Sequence, residues 1–153
     1  MRHDLEARIR ELKLSDRVLF TGQLSDLRIF YNSIDVFAFP SLIEPFGLVL
    51  LEALACERPV IASNTGGIRE ILERLESGIR VPVGDSSAIV AAISEMMARP
   101  PSSAERIATR KRIQAEYSLD TLINRYLMLY EELFTHERSD LLIRSHPLED
   151  EPK

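Results

Sequence analysis

The sequence predicts an α/β fold in which a parallel, doubly wound sheet is followed by C-terminal helices. Up to about residue 100, short β-branched or aromatic runs alternate with segments of helical period. This alternation is typical of a parallel sheet whose strands are joined by helices. After Pro100-Pro101 only the helical period remains. The 153 residues give the length of one domain with a core of its own.

Four short apolar runs are predicted to be the strands of this sheet. They are rich in Val, Ile and Phe and lack a regular polar alternation, which indicates strands covered on both faces. In chain order the predicted strands are residues 18–20, 36–39, 60–62 and 79–81.

Five helices are predicted before and between the strands and directly after the last one, because polar or small residues precede runs of helical period. The residues that open them are Asp4, Ser25-Asp26, Gly47, Gly66-Gly67 and Asp85. The third helix covers 47–56 and is mostly apolar. The residues predicted to face inward in the other four are, in chain order, Leu5, Ile9 and Leu12; Leu27, Phe30 and Tyr31; Ile68, Ile71 and Leu72; and Ile89, Ile93, Met96 and Met97.

Two further helices are predicted near the C-terminus. The first is polar and covers about 102–115, and Ser118 caps the second. Apolar residues of the second cover more of its circumference than one stripe, so we expect part of this face to be exposed or paired with another copy. These residues are Leu119, Leu122, Ile123, Tyr126, Tyr130, Leu133 and Phe134. We therefore predict a domain over 1–134 and a disordered tail over 135–153.

Composition argues against several classes of function. The formal net charge is -5 and the basic residues are scattered, whereas nucleic-acid binding needs clustered positive charge. No run of apolar residues is long enough to span a membrane, and the polar start is unlike a signal peptide. The single cysteine, Cys56, excludes an internal disulfide and is predicted to be a small core residue. These features predict a cytoplasmic protein.

Three loops at the carboxyl ends of the predicted strands are candidates for a ligand site, because open α/β sheets bind ligands at that edge. They are residues 21–23, 40–47 and 63–67. Two of them lead directly into a helix, whose first turn offers unpaired N–H groups and a positive dipole end to a phosphate. Taken singly, the glycines in these loops are explained by tight turns alone.

Glu44 and Glu52 together suggest one extended ligand. Residues 47 to 52 rise roughly 7.5 Å along a helix. A ligand could therefore meet Glu44, then the helix N-terminus, then Glu52. A sugar, a diphosphate and a ribose suit this series, because carboxylates accept hydrogen bonds from hydroxyls and N–H groups bind phosphate. The alternatives are a chance pair in a Glu-rich chain, or a surface Glu that favours the helix dipole.

Residues 40–53 resemble the signature of the retaining glycosyltransferases of family 4, through Glu44, Phe46-Gly47 and Glu52. The runs 59–63 and 66–70 continue the resemblance in the expected order, and overall it covers about 5–134. It implies the Rossmann-like C-terminal domain of a two-domain, GT-B type enzyme. Glu57 departs from the family pattern, which often has Gly there, and a left-handed conformation would cost a Glu about 1 kcal/mol.

The resemblance implies a donor site for a nucleotide-activated sugar. Glu44 would bind hydroxyls of the transferred sugar and is the nearest candidate for a catalytic residue. The backbone at Phe46, Gly47 and Leu48 would bind the sugar and the diphosphate. Glu52 would bind the ribose, and Gly22 with Gln23 would border the base. No metal and no other cofactor is expected, since cationic side chains and a helix N-terminus stabilise the leaving diphosphate.

Relative to the family pattern, the chain begins where the third strand of the C-terminal domain is about to form. The acceptor-binding domain with its histidine has no counterpart, nor do the Arg and Lys that hold the donor phosphates. The lysines, Lys13, Lys111 and Lys153, lie in no matching place. We therefore expect a donor-binding portion that needs the missing part, supplied by another chain, for turnover. Self-association is the other partnership that we expect. The alternative is a catalytically inactive nucleotide-sugar-binding or interaction module.

The missing strands predict a gap in the sheet. In the doubly wound order 3-2-1-4-5-6 the first two strands are central, so two strand widths, about 10 Å, would separate residues 18–20 from 36–39. The remaining three strands can still pair in sequence order. We expect residues 18–20 to close the gap, to borrow strands from another chain, or to be loosely folded.

Overall fold

The computed structural model describes residues 2–144, and the side chains of residues 2–134. In this part of the chain seven helices and three strands are formed. In chain order they are α1 (Arg2–Glu11), α2 (Leu27–Asn32), β1 (Phe37–Phe39), α3 (Leu48–Ala55), β2 (Val60–Ser63), α4 (Gly66–Leu75), β3 (Ile79–Val81), α5 (Ser86–Ala98), α6 (Ser103–Tyr117) and α7 (Leu119–Arg144).

The three strands form one parallel sheet in the order β1-β2-β3. Phe37 pairs with Val60, and Ile61 pairs with Ile79. The predicted pairing of the last three strands in sequence order is therefore confirmed. Because parallel strands need a crossover, α3 joins β1 to β2 and α4 joins β2 to β3.

Both faces of the sheet are covered by helices. On one face Val60 and Ala62 of β2 pack with buried residues of α3, α4 and α6. On the other face Ile61 and Val81 pack with Ala92 and Met96 of α5. Every residue of β2 is buried, as expected for a central strand between two helical layers. The predicted doubly wound α/β class is thus confirmed.

The predicted first strand is wrong. Residues 18–20 form no strand and pair with none of β1, β2 and β3. Val18 is 41% exposed and Leu19 is 83% exposed, and no residue of α1 is buried. An extended apolar run forms a buried strand only when an adjacent strand satisfies its backbone N–H and C=O groups. Residues 18–20 have no such partner, because β1, the edge strand on that side of the sheet, does not pair with them. Of the three outcomes expected for this segment, gap closure is not found, and the borrowing of strands from another chain stays a prediction.

The predicted inward face of α1 is wrong, since Leu5 is 49% exposed, Leu12 is 51% exposed and no residue of this helix is buried. The predicted faces of α2 to α5 are mostly correct, with two exceptions. Tyr31 is buried and Phe30 packs against the core, but Leu27 is 40% exposed. In α5, Met96 is buried whereas Met97 is 74% exposed. Adjacent residues lie about 100° apart on a helix, so both methionines cannot face the same neighbour. Cys56, a free thiol, is half-buried and packs against the core.

The C-terminal helices differ in their packing. A capping box between Ser102 and Glu105 opens α6, which buries Ile113 in the core. Apart from the half-buried Thr121, every described side chain of α7 is exposed. The seven apolar residues named above are each between 46% and 69% exposed. Their predicted exposure is confirmed. The helix continues to Arg144, and the last residues of the predicted tail, 145–153, lie outside the described residues.

Candidate functional site

Two helices begin at the carboxyl edge of the sheet. The loop 40–47 leads from β1 into α3, and residues 64–65 lead from β2 into α4. Because β1 and β2 are parallel neighbours, both helix N-termini lie at the same edge. The first-turn N–H groups of each helix have no partner within the helix. This edge therefore presents two positive helix ends close together.

Gly66 and Gly67 allow these two helix entrances to touch. A Cβ added to Gly66 would overlap the carbonyl oxygen of Glu44. A Cβ added to Gly67 would lie 2.5 Å from the carbonyl oxygen of Phe46 and 2.8 Å from that of Pro45. The two glycines thus do more than permit a tight turn. They bring the N-terminus of α4 directly against the backbone that precedes α3.

Glu44 closes the entrance of α3. Its Oε1 accepts a hydrogen bond from the backbone N–H of Gly47 at 3.0 Å and from that of Phe46 at 3.4 Å. Gly47 is the N-cap of α3 and has a φ of 100°, a left-handed conformation that favours glycine. The half-buried carboxylate therefore lies where the sequence placed it, at the start of α3. It engages two of the N–H groups that were expected to meet the ligand.

Most of the other residues predicted at the sugar and the base are accessible. Phe46 is 48% exposed and Leu48 is 64% exposed, while the backbone of Gly47 is buried. Gly22 and Gln23 lie on an exposed loop, and a Cβ added to Gly22 would meet no atom within 4 Å. The structure thus packs the α3 and α4 entrances together but leaves the predicted base-binding loop in open space.

Glu52 is held by a buried tyrosine. Its Oε2 accepts a hydrogen bond from the Tyr31 hydroxyl at 3.1 Å, and the same hydroxyl lies 3.2 Å from the carbonyl oxygen of Val49. Tyr31 is 3% exposed, and its ring packs edge-on against Phe30 and Phe37. Burial and the bond to Glu52 raise the pKa of the Tyr31 phenol above its ordinary value. The phenol therefore stays protonated as a donor.

The sequence indicated Tyr31 only as an inward-facing residue of the second helix. Its contact with Glu52 spans 21 positions of sequence. Local periodicity can show which face of a helix is buried, but it cannot show which residue of a distant helix lies opposite. The available signal was chemical: a buried tyrosine usually finds a partner for its hydroxyl.

A cavity of about 930 Å³ lies between α2, α3 and α6, and both Tyr31 and Glu52 line it. Its cationic side chains are paired: Arg28 with Asp26 at 3.0 Å and Arg110 with Glu57 at 3.0 Å. Arg58, also in the lining, donates to backbone carbonyls at 3.0 and 3.2 Å. Glu44 and Gly47 do not line this cavity. The structure therefore divides the predicted site between the α3–α4 entrance and the cavity along α3.

The described residues contain neither a cluster of metal ligands nor a membrane-spanning helix. Among residues 2–134, no three His, Cys, Asp or Glu side chains lie together as a metal site would require. No described helix is both long and apolar enough to cross a membrane. The cytoplasmic location stays a prediction from the sequence.

Comparison with known proteins identifies the relatives of this chain. The lipopolysaccharide core biosynthesis mannosyltransferase LpcC of Rhizobium leguminosarum bv. viciae is 32% identical over 136 residues, 88% of this chain and 39% of its own length. Sucrose-phosphate synthase from Thermosynechococcus elongatus is 37% identical with a TM-score of 0.77, covering 88% of this chain and 35% of that chain. Anabaena HepE, solved in complex with UDP, is 25% identical with a TM-score of 0.78, covering 85% and 36%.

The chain therefore spans well under half the length of these relatives. The similar structures are glycosyltransferases of the GT-B fold, and the matching region is their C-terminal domain. The family model described as "Glycosyl transferases group 1" matches residues 1–114, which is more than half of the chain. On this match the chain belongs to the glycosyl transferases group 1 family.

Proposed function

We propose that the chain is the donor-binding portion of a retaining glycosyltransferase of family 4 and binds a nucleotide-activated sugar. The observation that carries the proposal is the contact of Gly66 and Gly67 with the backbone of residues 44–46, which brings two helix N-termini together. Two such ends suit the two negative phosphates of a nucleoside diphosphate. The complex of the similar HepE with UDP agrees with a ligand of this class.

The ligand would extend along α3. The diphosphate would lie at the N-termini of α3 and α4, with the backbone at Phe46, Gly47 and Leu48. Glu44 is the nearest candidate for a group at the transferred sugar, because its carboxylate already lies at the α3 entrance. On binding, N–H groups that Glu44 now engages would become available to the ligand. Glu52 would accept hydrogen bonds from the ribose, and Gly22 with Gln23 would border the base.

Calorimetric titration with UDP, GDP and ADP, and with their sugar conjugates, tests the proposal. We expect one of the three bases to be preferred. Glu52→Ala should weaken the nucleotide and its sugar conjugate equally, because both carry the ribose. Glu44→Ala should weaken mainly the sugar conjugate. Each lost charged hydrogen bond corresponds to about 1.5–3 kcal/mol.

Glu95→Ala is the matched control, since Glu95 is an exposed carboxylate of α5 on the other face of the sheet. It should leave every titration unchanged. If the wild-type chain binds none of these ligands, or if neither Glu44→Ala nor Glu52→Ala alters binding, the proposed function is wrong.

A further part of the proposal concerns turnover. We propose that transfer needs polypeptide equivalent to the remaining length of the relatives, supplied by another chain or by an assembly, so that this chain alone binds without turnover. Turnover by the isolated chain would refute this part, whereas failure to turn over in any assembly would favour an inactive nucleotide-sugar-binding module.

We also propose metal-independent binding, which predicts the same affinity in EDTA and in Mg²⁺.

A further inference from the structure

The contact between Tyr31 and Glu52 joins two helices at the cavity along α3. Tyr31 lies in α2, and its hydroxyl reaches both the Glu52 carboxylate and the carbonyl oxygen of Val49 on α3. The tyrosine is 3% exposed and is fixed by rings on two sides, Phe30 and Phe37. Glu52, in contrast, is an exposed residue. A rigid, buried donor therefore holds one oxygen of an otherwise solvent-facing side chain.

A glutamate in solvent samples many rotamers, and holding it still on ligand binding lowers affinity by about two- to tenfold. A side chain already held by a buried partner loses little further freedom when the ligand arrives. The Tyr31 hydroxyl occupies Oε2 of Glu52, which leaves Oε1 for hydroxyl groups of a ligand. The phenol has a single proton, and the Glu52 carboxylate and the Val49 carbonyl oxygen both lie within its reach. The carboxylate is the stronger acceptor because it is charged.

We propose that Tyr31 is the positioning residue of the ribose-binding carboxylate: it preorganises Glu52 for the 2′- and 3′-hydroxyl groups of the donor nucleotide. The inference rests on the proposed function and goes beyond it, because it assigns the preference for a ribose to a residue that does not touch the ligand. A purely architectural Tyr31, tying α2 to Val49, would affect all ligands of the site alike.

The test compares each nucleoside diphosphate with its 2′,3′-dideoxy counterpart, using UDP, GDP and ADP on the full chain. Tyr31→Phe keeps the ring and removes only the hydroxyl. We expect this variant to bind the preferred diphosphate about two- to tenfold more weakly and to bind the dideoxy analogue within about twofold of wild type. In a Glu52→Ala background, Tyr31→Phe should change neither affinity further, because the two residues act on one contact.

Tyr117→Phe is the matched control. Tyr117 is a partly buried tyrosine of α6 that packs against the same core. It does not line the cavity that contains Glu52, so the substitution removes a tyrosine hydroxyl without changing that lining. It should not alter the ratio of the affinities for the ribose and dideoxy ligands. Thermal melts of all variants show whether the fold is retained.

The possible failures are distinct. If Tyr31→Phe weakens both ligands equally, or neither, while Glu52→Ala acts on the ribose ligand alone, this inference is overturned and the proposed function stands. If Glu52→Ala fails to discriminate between the ligands, or no diphosphate binds, the ribose role of Glu52 and the inference fall together. Should Tyr31→Phe not fold, side-chain J-couplings of Glu52 in the wild type decide: one χ1 rotamer supports the inference and averaging overturns it.

Discussion

Among single residues, Gly66 and Gly67 have little freedom to change, and Gly67 isolates the effect of close approach because, of the two, only Gly66 also has a left-handed φ. A Cβ at this position would lie 2.5 Å from the carbonyl oxygen and 2.7 Å from the Cα of Phe46. Both are backbone atoms of the loop that Glu44 and Gly47 close with hydrogen bonds, so they cannot rotate aside as a flexible side chain would. Relief requires separation of the α4 N-terminus from the α3 entrance.

We therefore predict that Gly67→Ala lowers the free energy of unfolding by about 1–3 kcal/mol, the usual cost of overpacking. It should also weaken nucleotide binding at least about tenfold, because the two helix ends separate. Gly84→Ala is the control: its φ is 76° and its Cβ would meet no atom within 4 Å, so it should cost about 1–2 kcal/mol from backbone strain alone. Urea denaturation and calorimetry measure both effects, and unchanged binding by Gly67→Ala would contradict the prediction.

The sequence indicates the candidate residues of this site better than it indicates how they contact one another. Glu44, Gly47 and Glu52 stand out because their chemistry and spacing along one helix are local properties. The contact of Gly67 with Phe46 crosses between two loops, and a glycine that allows close approach has the same sequence signal as one that allows a turn. Helical period likewise places Tyr31 inward without identifying its partner.

At the scale of the elements, α3 and α4 end in the same unusual way. Both helix ends carry a glutamate in the left-handed conformation. Glu57, with a φ of 61°, follows the C-cap of α3, and Glu76, with a φ of 50°, is the C-cap of α4. A glycine is the usual residue there because it has no Cβ to clash. The expected strain at Glu57 is thus present, and an ion pair with Arg110 at 3.0 Å partly offsets it. Glu76 is 84% exposed, with Arg112 3.7 Å away, so its ion pair contributes little.

We predict that Glu76→Gly raises the free energy of unfolding by about 1 kcal/mol, because it relieves the left-handed strain and loses only a weak ion pair. The same substitution at Glu70, an exposed residue inside α4, should lower it by about 1 kcal/mol, the ordinary cost of a glycine within a helix. Thermal or urea denaturation of the two variants should give changes of opposite sign. Destabilisation by Glu76→Gly would show that its carboxylate matters more than its backbone.

The sequence predicts the elements well wherever one segment carries enough information. Helices α3, α5 and α6 and strands β1 to β3 begin and end within about two residues of the predicted positions, and α4 begins at the predicted glycine but continues to Leu75. Residues 18–20 have the same apolar, β-branched composition as these strands yet form none. Strand propensity describes a side chain that suits a pleated, half-buried surface, and such a surface exists only where a neighbouring strand is present.

Across the whole molecule, stability is concentrated around β2. This strand is buried along its length and lies between two packed faces. The two ends of the described chain contrast with it: α1 buries no residue, and α7 exposes its apolar side chains throughout its described part. An isolated helix of ten residues is marginal in water without packing. Whether α7 pairs with another copy stays a prediction, which light scattering over a concentration series can check.

This distribution predicts a gradient of amide exchange in the isolated chain. Protection should be greatest in Val60–Ser63, because its amides exchange only when both helical layers open, with free energies close to that of global unfolding. Leu27–Asn32 should be intermediate, since Tyr31 is its one buried residue and Phe30 is only partly buried against the core. Residues 2–24 should be protected least, with opening free energies of about zero to 1 kcal/mol, because neither α1 nor residues 18–20 are buried. Addition of a chain that pairs with β1 and covers this end should raise the protection of residues 2–24 selectively. Uniform protection of residues 2–81 in a monomer would mean that the start of the chain is packed in a way this structure does not contain, and the gradient would be refuted.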